Sequence, residues 1–155
     1  MIYRLERSLF ISQPREKVFA FFADAGNLER ITPAFLSFHI LAPHPIPMRA
    51  GSLIDYELRL YGVPFKWRTQ IESFDPISSF TDIQIKGPYR RWHHRHEFEE
   101  VPGGTHMRDR VEYELPFGPL GTLARTLFVR RAVERIFDHR NQSITEIFHP
   151  MTAAL

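Results

Sequence analysis

The chain of 155 residues contains no cysteine. Disulfides, thiolate metal ligands and cysteine nucleophiles are therefore excluded, and the composition fits a reducing, cytoplasmic setting. No apolar run approaches the roughly 20 residues of a membrane-spanning helix. The first residues, MIYRLERSLFISQPREK, carry charge throughout and lack an apolar run of signal-peptide length. Net charge is nearly absent as well: 20 basic residues against 18 acidic ones leave +2. The two signs alternate instead of forming blocks, as they do on solvated faces. Internal repeats, low-complexity tracts and linkers are missing, so residues 1–150 read as one domain with a tail at 151–155. No nucleophile elbow, phosphate loop or dinucleotide fingerprint occurs, and no cofactor is expected.

Aromatic residues, by contrast, are plentiful: 14 Phe, 5 Tyr and 2 Trp. Such side chains fill cores, and they also line apolar ligand pockets. Their spacing assigns them to elements. Residues 2–11 predict a strand. A helix follows from Ser12 or Gln13, with Pro14 in its first turn, where proline is favoured. A second short helix covers Asn27 to Ile31 and is stopped by Thr32-Pro33. The period then changes to two, and six strands follow. The first of these spans 36–42, with Leu36, Phe38 and Ile40 in phase, and the proline-rich segment after it, PHPIPMRAG, is a loop. Residues 53–61 and 65–73 form a hairpin through Gly62-Val63-Pro64, with Tyr56, Trp67 and Thr69 on its apolar face.

From Pro119 to Phe148 the period becomes helical. Leu120, Leu123, Leu127, Val133, Ile136, Phe137, Ile144, Ile147 and Phe148 form one stripe. Arg125, Arg130, Arg131, Arg135 and Arg140 are assigned to the opposite, solvated face. A helix of this length runs roughly 45 Å and can cross a whole sheet. The expected fold class is α+β: a curved seven-stranded antiparallel sheet wrapped around a long C-terminal helix, with two short helices after the first strand.

Residues 91–100 and 106–115 alternate cleanly around the turn Val101-Pro102-Gly103-Gly104. Centring the hairpin there sets Trp92 opposite Tyr113, His94 opposite Val111, His96 opposite Asp109 and Phe98 opposite Met107. Two histidines and an aspartate then point to the covered face. If Phe80, Asp82 and Gln84 of the preceding strand also face inward, Asp82 approaches the histidines from the other flank.

The string F-x-D-x-Q-x-x-G-P-Y-x-x-W-x-H-x-H-x-F, from Phe80 to Phe98, resembles a signature of a bacterial branch of the START-like or SRPBCC superfamily. The segment ISQPREKVFAFFAD-x-x-NLERITP, Ile11 to Pro33, is similar to that branch too, as is DRVEYELPFGPLG from Asp109 to Gly121. The resemblance spans nearly the whole chain. It implies the helix-grip fold of START and Bet v 1-like proteins, with a cavity between sheet and helix. The superfamily includes lipid carriers, plant ligand binders, polyketide cyclases and quinone-binding proteins, so membership supports a pocket more than a reaction.

His-x-His on a strand presents two imidazoles on one face, as a metal site requires. Spacing fixes neither a third histidine nor a carboxylate ligand, so a hydrogen-bonded Asp–His network is the preferred reading and no metal is expected. Catalytic candidates are His94, His96, Asp109 and Asp82, acting as base and orienting acid. The expected ligand-binding set comprises Tyr56, Trp67 and Thr69 from the first hairpin and Asp82 and Gln84 from the next strand. It is completed by Trp92, His94, His96, Phe98, Asp109 and Tyr113 from the last hairpin. The arginine-bearing helix face reads as solvated, with transient contact to an anionic membrane surface as its sharper use; no nucleic-acid module accompanies it. Oligomeric state is not readable, although Phe10 or Phe74 could seed a dimer.

The favoured reading is a cytoplasmic binding protein for a small apolar or amphipathic molecule, lipid-, quinone- or polyketide-like. Its rival is a cyclase- or dehydratase-type enzyme using the His/Asp cluster. A third class is an interaction module with a vestigial pocket.

Overall fold

The structure, a computed structural model, describes residues 1–42 and 45–149. The first two residues of the proline-rich loop and the tail expected at 151–155 lie outside the described residues. Strand β1 (Tyr3–Ile11) leads into helix α1 (Arg15–Phe22) and two 3₁₀ turns, Ala25–Ile31 and Ala34–Leu36. Strands β2 (His39–Ile40), β3 (Leu53–Leu60), β4 (Val63–Asp75), β5 (Ser79–Lys86), β6 (Arg91–Val101) and β7 (Gly104–Glu114) follow. They form one seven-stranded sheet in the order β1-β7-β6-β5-β4-β3-β2. Every pairing is antiparallel. The chain thus crosses from one edge of the sheet to the other through α1 and the 3₁₀ turns, then meanders back until β7 meets β1.

Burial in β7 alternates at every residue, so one face is covered and the other wet. The β6–β7 register pairs Trp92 with Tyr113, His94 with Val111, His96 with Asp109 and Phe98 with Met107. Helix α1 has only eight residues and no side-chain cap, and a helix that short is marginal in isolation. Packing holds it: Phe19 meets the rings of Phe74, Phe80 and Phe98 edge-on at 5.4–6.1 Å. Phe74 is thereby half-buried, whereas Phe10 is exposed.

Helix α2 (Gly118–Ala124), a π-helical segment (Arg125–Val129) and helix α3 (Arg130–Phe148) run end to end as a 31-residue rod. In α3 the buried positions are Val133, Phe137, Arg140, Ile144 and Phe148, one face at three- and four-residue steps.

Four details differ from the sequence reading. Strand β2 is only two residues long, because Leu36 lies in a 3₁₀ turn and Ser37 adopts a left-handed conformation (φ 45°) that breaks the extended run. The β3–β4 turn is Tyr61-Gly62, both at positive φ, and Val63-Pro64 already belong to β4. This pair of positive angles matches the right-handed twist of a tight hairpin, and glycine accepts its share without strain. The apolar stripe does not continue along the whole rod: Leu120, Leu123 and Leu127 are 72%, 56% and 56% exposed. A π turn takes up one extra residue, which rotates the preceding stretch by about 100° about the axis and carries these leucines off the buried face. Gly121 turns inward in their place, so close to the Pro116 carbonyl that a Cβ would clash with it. Finally, Arg140 is not solvated but buried, at 7% exposure.

Candidate functional site

Strand pairing brings the polar cluster together. His94 and His96 share the covered face of β6; Asp109 on β7 pairs with His96, and Asp82 on β5 pairs with His94. Arg140 descends onto the same spot from α3. The His94 Nε2 atom lies 2.8 Å from Asp109 Oδ1, and His96 Nε2 lies 2.7 Å from Asp82 Oδ2. His96 Nδ1 is 3.1 Å from Asp109 Oδ1 and 3.3 Å from an Arg140 guanidinium nitrogen. Arg140 Nε stands 3.4 Å from Asp109 Oδ2, and Phe80 stacks on the His96 ring at 4.1 Å.

The electrostatics follow from these contacts. Burial alone would raise the Asp109 carboxyl, but the Arg140 charge and the hydrogen bonds of both histidines hold it well below its ordinary range. Asp82 is likewise held low against burial by His94 and His96 and, more distantly, by Arg140. For His94, burial and the neighbouring His96 charge win, pushing it down to about 4. For His96, burial opposes charge, yet the two carboxylates that hydrogen-bond it raise its affinity for a proton. Near neutral pH His94 is therefore the uncharged imidazole. An ionised carboxylate can only accept, so His94 donates from Nε2 to Asp109. Its Nδ1 lone pair is left 3.6 Å from Asp82 Oδ2.

This cluster closes one end of a cavity of about 150 Å³ between the sheet and α3. The rest of the lining is mostly apolar, Phe22, Leu28, Leu58 and Ile136 among it, with the hydroxyls of Thr32 and Thr69 as exceptions. Flat aromatic surface dominates one wall. Trp67 meets Tyr89 and Trp92 at 5.6 and 5.4 Å, and stacks with Tyr56 at 5.8 Å. Thr69 Oγ1 accepts the Trp67 indole N–H at 3.1 Å and lies 3.1 Å from the Tyr56 hydroxyl. Both polar tips are thus satisfied in the wall, and burial drives the Tyr56 phenol upward.

Of the residues singled out from sequence, Tyr56, Trp67, Thr69, Asp82, Trp92, His94 and His96 line the cavity. Asp109 stands behind the two imidazoles, as the distances above show. Gln84 instead fixes the β5–β6 turn: its amide donates to the Tyr89 carbonyl at 2.6 Å and accepts the Tyr89 N–H at 3.1 Å. Phe98 packs against Phe19 and Phe22 beneath α1. Tyr113 packs among Tyr3, Tyr89 and Trp92. Sequence reasoning missed Arg140, Tyr89 and Phe137, all of which line the cavity. For Arg140 the signal was available: it stands three residues after Phe137 and four before Ile144, on the apolar face of the helix.

A curved sheet closed by a long helix, with a cavity between them, defines the class of helix-grip proteins. Within that class the chain belongs to the polyketide cyclase / dehydrase and lipid transport family, whose pattern matches residues 11–139. The structure is similar to TTHA0849 of Thermus thermophilus, with a TM-score of 0.70, 17% identity and coverage of 94% of this chain and 99% of that one. It is also similar to ginseng major latex-like protein 151 of Panax ginseng, with a TM-score of 0.65, 14% identity and coverage of 96% and 99%. A third similarity is to the Zhui aromatase/cyclase of a Streptomyces species, with a TM-score of 0.67, 11% identity and coverage of 99% and 100%. Identities this low establish shared fold alone. No curated protein matches the chain by sequence.

Proposed function

We propose that residues 1–150 act as one ligand-binding domain that holds a small, mostly apolar molecule between the sheet and α3. The observation that carries this reading is the asymmetry of the cavity: apolar and aromatic over most of its wall, with ionisable acid, imidazole and guanidinium groups only where Asp82, His94, His96 and Arg140 meet. A space meant only to be filled by core would not keep four ionisable groups at its edge, because burying such groups is costly even when they are paired. The aromatic wall takes a ring or acyl body, and the polar end orients one hydroxyl or carbonyl. Apolar cavities of about 150 Å³ accept molecules of roughly benzene size, so a larger ligand requires the space to widen.

Trp67 and Trp92 both face the cavity, and their fluorescence reports its occupant. Titration with benzyl alcohol and toluene is expected to give saturable changes, with benzyl alcohol the tighter. His94→Ala is expected to abolish that preference while retaining toluene binding. Absence of a saturable change with either probe contradicts the reading and favours an interaction module whose pocket is vestigial.

A second reading, a cyclase- or dehydratase-type enzyme, is favoured by one specific feature. His94 lines the cavity with an unprotonated Nδ1 3.6 Å from Asp82 Oδ2 while Asp109 fixes its tautomer, the arrangement of an oriented general base. Arg140, beside His96 and lining the same cavity, is a donor for a developing oxyanion. Turnover of a polyketide-like substrate that is lost in His94→Ala, with substrate binding retained, would establish that reading over simple carriage.

A further inference from the structure

We propose that Asp82, His94 and His96 form a binding site for a divalent transition-metal ion of the zinc type, with Asp109 bracing both imidazoles from behind. Spacing in the sequence lacked a placed carboxylate ligand; the sheet supplies one by pairing β5 with β6. One donor atom from each of the three residues lies within 4.8 Å of the other two. Asp82 Oδ2 stands 3.6 Å from His94 Nδ1 and 2.7 Å from His96 Nε2. Ligand atoms around a tetrahedral zinc ion with bonds of about 2.0–2.1 Å lie roughly 3.3 Å apart. The first separation is already close to that, and the second needs to open by about half an ångström.

The other face of the imidazole pair supports the same assignment. Asp109 Oδ1 is 2.8 Å from His94 Nε2 and 3.1 Å from His96 Nδ1, so one carboxylate oxygen can accept from both rings. With those two nitrogens protonated, the lone pairs left are on His94 Nδ1 and His96 Nε2, the two atoms that face Asp82. A carboxylate behind a ligating histidine, fixing its tautomer and orientation, is the usual support of such a ligand. In the metal-free protein a proton bridges His96 and Asp82, and the ion takes its place.

Arg140 does not block the site. Its guanidinium lies on the Nδ1 side of His96, away from Asp82, and stands beside Asp109 Oδ2; with Nδ1 protonated toward Asp109 it makes no hydrogen bond to that ring. It compensates the Asp109 charge, leaving Asp82 as the anionic ligand. Asp82, His94 and His96 all line the cavity. Two histidines and one carboxylate therefore leave at least one coordination position open toward that space, as catalytic and ligand-binding zinc sites do. An oxygen of a bound molecule would complete it.

The inference stands apart from the ligand reading, since the ion can be titrated with no organic molecule present. Full-length protein without a histidine tag, stripped by chelator, is titrated with Zn²⁺ by calorimetry and with Co²⁺ by visible absorption. One ion per chain is expected, with the intense visible bands of tetrahedral cobalt. Asp82→Asn and His94→Ala are each expected to weaken binding by at least tenfold, about 1.4 kcal/mol. His93→Ala and His106→Ala, on the wet face of the sheet, are expected to leave it unchanged. Should His94→Ala fail to fold, Asp82→Asn decides, because its shape is conserved and Asp82 is 16% exposed. Absence of stoichiometric binding overturns the inference. So does binding that survives Asp82→Asn but is lost in the outward-histidine variants. Toluene binding by the stripped protein reads the ligand proposal separately.

Discussion

His94 and His96 stand two residues apart on one strand, yet their surroundings drive them in opposite directions. The His94 pKa falls from its ordinary 6.5 to about 4, because burial and the His96 charge outweigh the two carboxylates. Between those values the unfolded chain takes up a proton that the folded chain refuses, so stability drops as pH falls from 6.5 toward 4. A shift of that size corresponds to roughly 3 kcal/mol at most. His96, whose affinity for a proton is raised, contributes the opposite way. Its stabilisation is complete below 6.5 and is lost as pH rises through its folded value. In chelator-treated protein, His94→Gln is expected to flatten the acid-side slope of stability between pH 6.5 and 4, as read by urea denaturation. A slope equal to that of the parent would refute the assignment of neutral His94. Arg140 is the other decisive residue. Arg140→Met leaves Asp109 buried without its cation and is expected to cost about 3–5 kcal/mol. Adding Asp109→Asn is expected to recover part of that loss in the same denaturation series.

At the scale of elements, the strands were legible in the sequence and the helix only in part. Alternation in 91–100 and 106–115, with a turn centred on Pro102-Gly103, determines which residues oppose each other, because a slip by one would bury every charge. That is why the pairing of His96 with Asp109 could be read directly. The placement of Asp82 could not, since residues 80–85 alternate too weakly to fix a phase; pairing with β6 decides it. The long helix was misread where its period changes. A single straight helix leaves Leu120, Leu123 and Leu127 within about 100° of Phe137 around the axis. The π turn at Arg125–Val129 breaks that relation, and nothing in its composition announces it. Arg140 was assigned to water because arginine is rarely buried, although its spacing lay on the apolar face. The rod thus has two unlike halves with one testable difference. Leu123→Ala is expected to change stability by less than about 0.5 kcal/mol, as an exposed substitution does. Phe137→Ala is expected to cost about 3–5 kcal/mol, as a buried one does. Equal costs would contradict the rotation described for the π turn.

At the scale of the molecule, the architecture explains why one charged spot faces a mostly apolar space. Three adjacent strands each contribute to a single patch, and the helix that covers them brings the compensating charge. No helix among the described residues is long and apolar enough to cross a membrane. The family relationship and the fold fit the proposed guest without naming it. Native mass spectrometry of gently purified protein tests the central claim most directly. The parent chain is expected to carry a non-covalent small-molecule adduct, which Leu58→Trp, a substitution that fills the cavity, is expected to lose while remaining folded. Parent protein that is consistently free of any adduct, or an adduct unaffected by Leu58→Trp, would contradict the account.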